Sequence, residues 1–217
     1  MLFALLRFFE GVAACWDSHI LLSLSTSVRC IQLFFDGACE PVNPGGIGTY
    51  GFAAFDGGRE IYGEGGVVCF GERWCTNNYA EYAGLVKALE WALAGGFDCV
   101  SVFGDSQLVV RQMLGLYAVR APNLRPLYER AVELSRGFRR FSISWVPRGE
   151  NSRADFYSKR AYCDFLKSRP DLRERYGKWL ATERQLELLR RLGVEAECLS
   201  KAEASRLIKS RRRIPRS

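Results

Sequence analysis

Ile31-Gln32-Leu33-Phe34-Phe35-Asp36-Gly37-Ala38 is the stretch from which the fold can be read. Five residues, apolar but for Gln32, form a short buried strand by length and composition, and the strand ends on an acid. Val100-Ser101-Val102-Phe103-Gly104-Asp105-Ser106-Gln107 repeats the pattern, a second short strand followed by Asp105. Two more acids open helices. Glu81, in Thr76-Asn77-Asn78-Tyr79-Ala80-Glu81, lies in the first turns of a helix with apolar Ala80, Leu85, Ala88, Leu89 and Ala92. Asp155, in Asn151-Ser152-Arg153-Ala154-Asp155, lies in the first turn of another. Ligands of open α/β sheets bind at the carboxyl ends of the strands, so the two strand-end aspartates are expected to meet there and the helix carboxylates to join them. Like charges brought together repel unless a cation is present. Four hard oxygen ligands suit Mg²⁺, with Mn²⁺ as a substitute, held together with waters and substrate phosphates. Any one of these acids alone would pass for a solvated surface charge or a helix N-terminal residue. Four in this arrangement point to a metal site.

Outward from these signatures, the core reads strand, strand, strand, helix, strand, helix, helix, strand, helix. Gly48 to Phe55 and Arg59 to Val68 flank Asp56-Gly57-Gly58, a hairpin signal. Tyr79 to Ala94 is a helix stopped by Gly95-Gly96, Gln107 to Leu114 a shorter one, and Leu124 to Arg136 a third, ended by Gly137. Phe141 to Val146 alternates as a half-buried strand, and Ser152 to Leu166 is the helix bearing Asp155. The expected class is α/β: a mixed five-stranded sheet, three antiparallel strands then parallel ones, with helices on both faces.

The chain is read as an extension over residues 1–29, a main domain over 30–166 that carries the four acids, and a tail over 167–217. The extension begins apolar, but Arg7, Glu10 and Asp17 interrupt it, so it is too short and too charged for a membrane span. It reads either as an apolar appendage of unassigned role or as residues ahead of a start near Val28. The formal net charge is +7. From 165 onward there are 15 Lys and Arg against 7 Asp and Glu, whereas 31–164 holds 14 against 15. The positive charge therefore belongs to the tail, which favours a polyanionic partner over a merely solvated helical end. Arg169-Pro170-Asp171 is expected to break the chain's helical run. Thr182 caps a helix that stops at Gly193, and Ser200 with Glu203 forms a capping box for another. Such a helix–loop–helix is similar to the small tails of DNA-processing enzymes. Its basic end is Lys209 to Arg213. Of the eight cysteines none forms a C-x-x-C, and most are expected to be small buried residues, with a disulfide left open.

In its signatures the segment from Cys30 to Leu166 resembles type 1 ribonuclease H, in the short, handle-less form of the archaeal-like branch. The matching residues are Asp36-Gly37-Ala38 with Asn43-Pro44-Gly45-Gly46, Thr76-Asn77-Asn78 with Glu81, Asp105-Ser106-Gln107, and Asn151 with Ala154-Asp155. The resemblance implies a monomeric, cytoplasmic endonuclease with no membrane association. It would cut the RNA strand of RNA–DNA hybrids with two divalent ions, and double-stranded RNA stays open as a second substrate. Asp36, Glu81, Asp105 and Asp155 would be the catalytic metal ligands. Asn43, Asn77, Asn78 and Gln107 would contact the minor groove of the hybrid, and Thr76 a DNA-strand phosphate. Two departures stand out. Gly115 to Asn123 is a short loop where many bacterial relatives carry a basic handle. The loop before the last aspartate, where relatives often have a histidine, is Pro147-Arg148-Gly149-Glu150, which makes Arg148 and Glu150 the auxiliary candidates. The one histidine, His19, lies outside the core. An exonuclease or integrase-type nuclease of the same fold and a non-catalytic hybrid-binding module are the alternatives. The exonucleases would show Asp-x-Glu on the first strand, where this chain has Asp36-Gly37-Ala38.

Overall fold

A computed structural model describes residues 30–194 and 198–212. The extension over 1–29 with His19, and the last basic residues from Arg213, lie outside the described residues. The strands are β1 (Cys30–Glu40), β2 (Ile47–Asp56), β3 (Arg59–Phe70), β4 (Cys99–Gly104) and β5 (Arg140–Trp145). They form one sheet in the order β3-β2-β1-β4-β5. The β1–β2 and β2–β3 pairs are antiparallel, and the β1–β4 and β4–β5 pairs are parallel. The main helices are α1 (Asn77–Ala94), α2 (Gln107–Met113), α3 (Arg125–Ser135) and α4 (Ser152–Ser168), followed in the tail by α5 (Pro170–Tyr176), α6 (Glu183–Arg191) and α7 (Lys201–Arg212). The mixed sheet expected from the sequence is present.

β1 is the central strand, and it is longer than the apolar run alone implies. Parallel pairing with β4 stops at Phe35 and Gly104, but antiparallel pairing with β2 continues to Glu40 opposite Ile47. Asp36-Gly37-Ala38 looks like a turn in isolation, yet the β2 partner keeps it extended. Asp36 is thus the first residue of β1 past the end of β4, with the strand on that side gone.

Two glycines let the flanking helices approach this point. A Cβ on Gly37 would sit 2.1 Å from the backbone nitrogen of Glu81, so α1 lies directly on β1 there. Gly51 is the register partner of Asp36. A Cβ on it would sit 2.2 Å from the carbonyl oxygen of Ala154 and 2.3 Å from the nitrogen of Ser158, both in α4. Facing residues of an antiparallel pair share a side, and neighbours along a strand alternate. α1 and α4 therefore cover opposite faces, each drawn onto the sheet beside Asp36. Ile31, Leu33 and Phe35 bury against Leu85, Leu89 and Ala92 on the α1 side. Ile47 buries against Tyr162, Leu166 and Tyr176 on the other. Because each clash would be with backbone, no side-chain rotation relieves it. Gly37→Ala is expected to destabilise the protein by about 3 kcal/mol, read as a lower urea midpoint at unchanged slope. A midpoint matching the parent would contradict the close packing.

The helical run breaks at Arg169, as expected: α4 ends at Ser168, and Pro170 opens α5 in its first turn, where its missing N–H costs nothing. Two details differ from expectation. The tail's first segment belongs to the core, because Leu172, Trp179 and Leu180 pack with Tyr162 and Leu166, and Tyr162 Oη donates to the Tyr176 carbonyl at 2.6 Å. The cysteines are mostly bridged rather than small free residues: Cys30–Cys99, Cys69–Cys75 and Cys163–Cys198 are disulfides, and among the described residues only Cys39 is free and buried. Sequence separations of 69 and 35 hide these pairings. Only the β1–β4 register, which sets Cys30 beside Cys99, reveals the first.

Candidate active site

The four signature acids come together around the point of β1 where its pairing with β4 stops. Asp36 is 8% exposed and points to the α4 side, where Asp155 stands in the first turn of α4. Glu81 reaches from the second turn of α1 and Asp105 from the residue after β4. Burial pushes the Asp36 carboxyl up to about 7, with the charges of Asp105 and Asp155 adding to it. Burial pushes Glu81 up to about 8; a hydrogen bond from Ser106 opposes this, and Asp36 and Asp105 add to the rise.

Neutral side chains orient two of these acids. Ser106 Oγ donates to Glu81 Oε2 at 2.5 Å and also accepts from Val109 N at the start of α2. Asn151 is fully buried, and its Nδ2 donates at 2.8 Å both to the Phe35 carbonyl of β1 and to Asp105 Oδ1. One amide thus ties the loop before α4 to the two central strands. Asn151 Oδ1 is buried and has no hydrogen-bond partner among the described residues. Asp155 meets cations instead: Arg148 Nη2 lies 3.3 Å from its Oδ1 and Lys159 Nζ 2.9 Å from its Oδ2.

As the side chains stand, no three of His, Cys, Asp and Glu among the described residues close on a single ion. The acids meet through their fields. Still, the donor chemistry fits a hard divalent cation: four carboxylates face one region, two are raised by burial and repulsion, and one already draws two cations.

Asn43, Thr76, Asn77 and Asn78 gather beside this region, at the junction of β1 and α1. Thr76 Oγ1 caps α1 by accepting from Tyr79 N at 3.2 Å, so neither asparagine is the cap. Asn77 Oδ1 accepts from Cys39 N at 2.6 Å, and Asn77 N donates to Asn43 Oδ1 at 3.3 Å. Gln107 is exposed at the first position of α2, next to Ser106. Arg148 and Glu150 lie in a single 3₁₀ turn, and only Arg148 touches one of the four acids.

A cleft of about 250 Å³ opens over Asp36 and Asp155. Its walls include Glu40 and Lys159, and also Trp179, Ser200 and Glu203 from the tail. Sequence reasoning missed Lys159 and Glu203 as site residues. Lys159 was visible in principle, four residues after Asp155 on one helix face. Glu203 was not, because its placement depends on how the tail folds back.

Comparison with known proteins bears on the family and the fold. A family model described as reverse transcriptase-like matches residues 53–161, half of the chain. Ribonuclease HI of Halobacterium salinarum is 42% identical over 137 residues, covering 62% of this chain. The chain spans 65% of that relative's length, just under two thirds. The crystal structure of RNase H1 from Halobacterium salinarum NRC-1 superposes with a TM-score of 0.58 at 39% identity, over 62% of this chain and 98% of that one. LC11-RNase H1, solved in complex with an RNA/DNA hybrid, superposes with a TM-score of 0.57 at 31% identity, over 63% of this chain and 99% of that one. With the five-stranded order, the four acids on their elements and these likenesses together, the chain belongs to the type 1 ribonuclease H family.

Proposed function

We propose that this protein cleaves the RNA strand of RNA–DNA hybrids internally, leaving 5′-phosphate and 3′-hydroxyl ends. The observation that carries this is the convergence of Asp36, Glu81, Asp105 and Asp155 past the end of β4, in a family that works with divalent metal ions. Asp36, on the central strand, would help hold both ions, with Glu81 and Asp105 contributing to one and Asp155 to the other. Mg²⁺, or Mn²⁺ in its place, would supply Lewis-acid stabilisation of the phosphate and lower the pKa of a water there. The chain's own groups do the rest. Ser106 and Asn151 hold Glu81 and Asp105 in fixed rotamers, so ordering the site costs less when substrate arrives. Asn43, Asn77, Asn78 and Gln107 face the minor groove, where an amide both donates to and accepts from a 2′-hydroxyl. Thr76 lies beside a DNA-strand phosphate. Residues 30–166 carry the chemistry, and the basic tail adds phosphate attraction. The protein acts as a monomer in the cytoplasm; no described helix is long and apolar enough to cross a membrane.

The test is cleavage of end-labelled RNA–DNA, RNA–RNA and DNA–DNA duplexes side by side with Mg²⁺. Internal cuts confined to the RNA of the hybrid are expected, with RNA–RNA cleavage deciding whether double-stranded RNA is a second substrate. Ladders that grow only from an end, with circular substrates spared, would mean an exonuclease. A shift in mobility without shortening would mean a binding module.

Arg148 takes the place of the histidine found in relatives. A guanidinium is no base near neutral pH, but it steadies a departing phosphate. Arg148→Ala is expected to lower steady-state turnover roughly fivefold while the single-turnover rate holds. Parent-like rates in both regimes would leave this turn, Glu150 included, without a part in the reaction.

A further inference from the structure

Lys159 is held between two carboxylates from different parts of the chain. Its Nζ lies 2.9 Å from Asp155 Oδ2 and 2.6 Å from Oε1 of Glu203, on α7. Glu203 is itself anchored: its Oε2 accepts from Ser200 N at 2.9 Å and from Ser200 Oγ at 2.8 Å. Burial alone would raise its carboxyl, but the bonds from Lys159 and Ser200 bring it down to about 2, so it is an anion at any working pH. The Cys163–Cys198 disulfide ties the segment ahead of α7 to α4, and Cys198 Sγ lies 3.0 Å from the Lys159 carbonyl. All three charged side chains are largely covered, at 28%, 20% and 25% exposure, and all three line the cleft over Asp36. Glu40 and Arg148 are the other charged groups lining it.

An ammonium on Asp155 competes with a divalent cation for the same carboxylate. A second carboxylate on that ammonium weakens the competition by sharing its charge. We propose that Glu203 is a positioning residue of the active site: by holding Lys159, the C-terminal helix sets how readily Asp155 accepts a metal ion. The tail is then part of the site as well as a source of positive charge. This inference rests on the reading of Asp155 as a metal ligand.

The test uses the full-length protein and Mn²⁺, with free ion counted by electron paramagnetic resonance, alongside the Mg²⁺ dependence of hybrid cleavage. Glu203→Gln is expected to weaken Mn²⁺ binding roughly three- to tenfold. The Mg²⁺ needed for half-maximal cleavage should rise by the same factor, while the rate at saturating Mg²⁺ holds. Glu203→Asp should recover much of the loss. Lys159→Met, which leaves Glu203 and its Ser200 bonds alone, should tighten Mn²⁺ binding and make a second change at Glu203 silent. Unchanged affinity in Glu203→Gln overturns the inference. So does an equal loss in the Lys159→Met background, which would make Glu203 act by its own field, and so does Lys159→Met without tighter binding. If the parent takes up no Mn²⁺, the metal site falls and this inference with it; if the parent binds and the variants do not differ, only the inference falls.

Discussion

Asp36→Asn is expected to reduce hybrid cleavage by roughly 10³-fold or more, the loss of several kcal/mol of transition-state stabilisation, and at the same time to make the metal-free protein more stable. The two effects have one cause. Asp36 is buried in β1 just past the end of β4, with Asp105, Asp155 and Glu81 around it. Nothing in the packing of β1 against β2 needs the charge, since the strand is held by the register through Gly51 and by the glycine contacts with α1 and α4. An amide of the same shape keeps those contacts and removes the repulsion. The pH dependence follows from the same carboxyls. The folded, metal-free state holds protons on Asp36 up to about 7 and on Glu81 up to about 8, whereas the unfolded chain releases both near 4. Between these limits the folded state binds more protons than the unfolded state, so stability falls as pH rises from about 4 to 8. Denaturant titrations in EDTA should show this decline in the parent and a shallower one in Asp36→Asn. The variant should be ahead by about 1–3 kcal/mol at pH 8, and added Mg²⁺ should stabilise the parent more than the variant. Cleavage within tenfold of the parent, or a variant less stable than the parent at pH 8, would remove Asp36 from the centre of the site.

Much of this site was legible in the sequence because each acid sits at an element boundary that local rules can find. An apolar run followed by Asp, or a helix start bearing an acid, needs only periodicity and composition. The sheet order then brings the four together, since strands β1 and β4 are neighbours, α1 packs on β1 at Gly37 and α4 packs on β2 at Gly51, opposite Asp36. What stayed hidden depends on contacts far apart in sequence. Asp36-Gly37-Ala38 reads as a strand end, and only pairing with β2 shows that β1 runs on to Glu40. Gly37 and Gly51 carry no helix-contact signal of their own in the sequence, and only the sheet with its helices shows that each is a seat for a helix. The disulfides and the Lys159–Glu203 pair join positions that no spacing rule relates. Charge counting placed the tail as a basic appendage for phosphate. Its folded position adds an acid, Glu203, to the wall of the cleft over Asp36, a placement that a sum of charges cannot express.

An all-DNA duplex is expected to be cut roughly 10⁴-fold more slowly than a hybrid of the same sequence. A polar site built around a hydroxyl rejects the analogue lacking it by that order, because its own donors and acceptors are then left unpaired. The setting of Asn77 supports such rejection. Its Oδ1 is committed to Cys39 N at 2.6 Å, and its backbone N–H to Asn43, so the amide is fixed on the end of β1 before any substrate arrives. A fixed amide cannot swing to find another partner when the 2′-hydroxyl is missing, and it loses little ordering entropy when the hydroxyl is there. Gln107 stands at the opening turn of α2, beside the Ser106 that donates to Glu81, so a substrate contact there would be one residue from the group that holds a proposed metal ligand. A duplex with a short ribonucleotide run inside DNA should be cut within that run and nowhere else. Asn77→Ala should narrow the gap between ribose and deoxyribose chiefly by slowing hybrid cleavage. The measurement is single-turnover cleavage of matched duplexes that differ only in the sugars of one strand. Comparable rates on all-DNA and hybrid would strip Asn77, Asn78 and Gln107 of their sugar-sensing role while leaving the four carboxylates untouched.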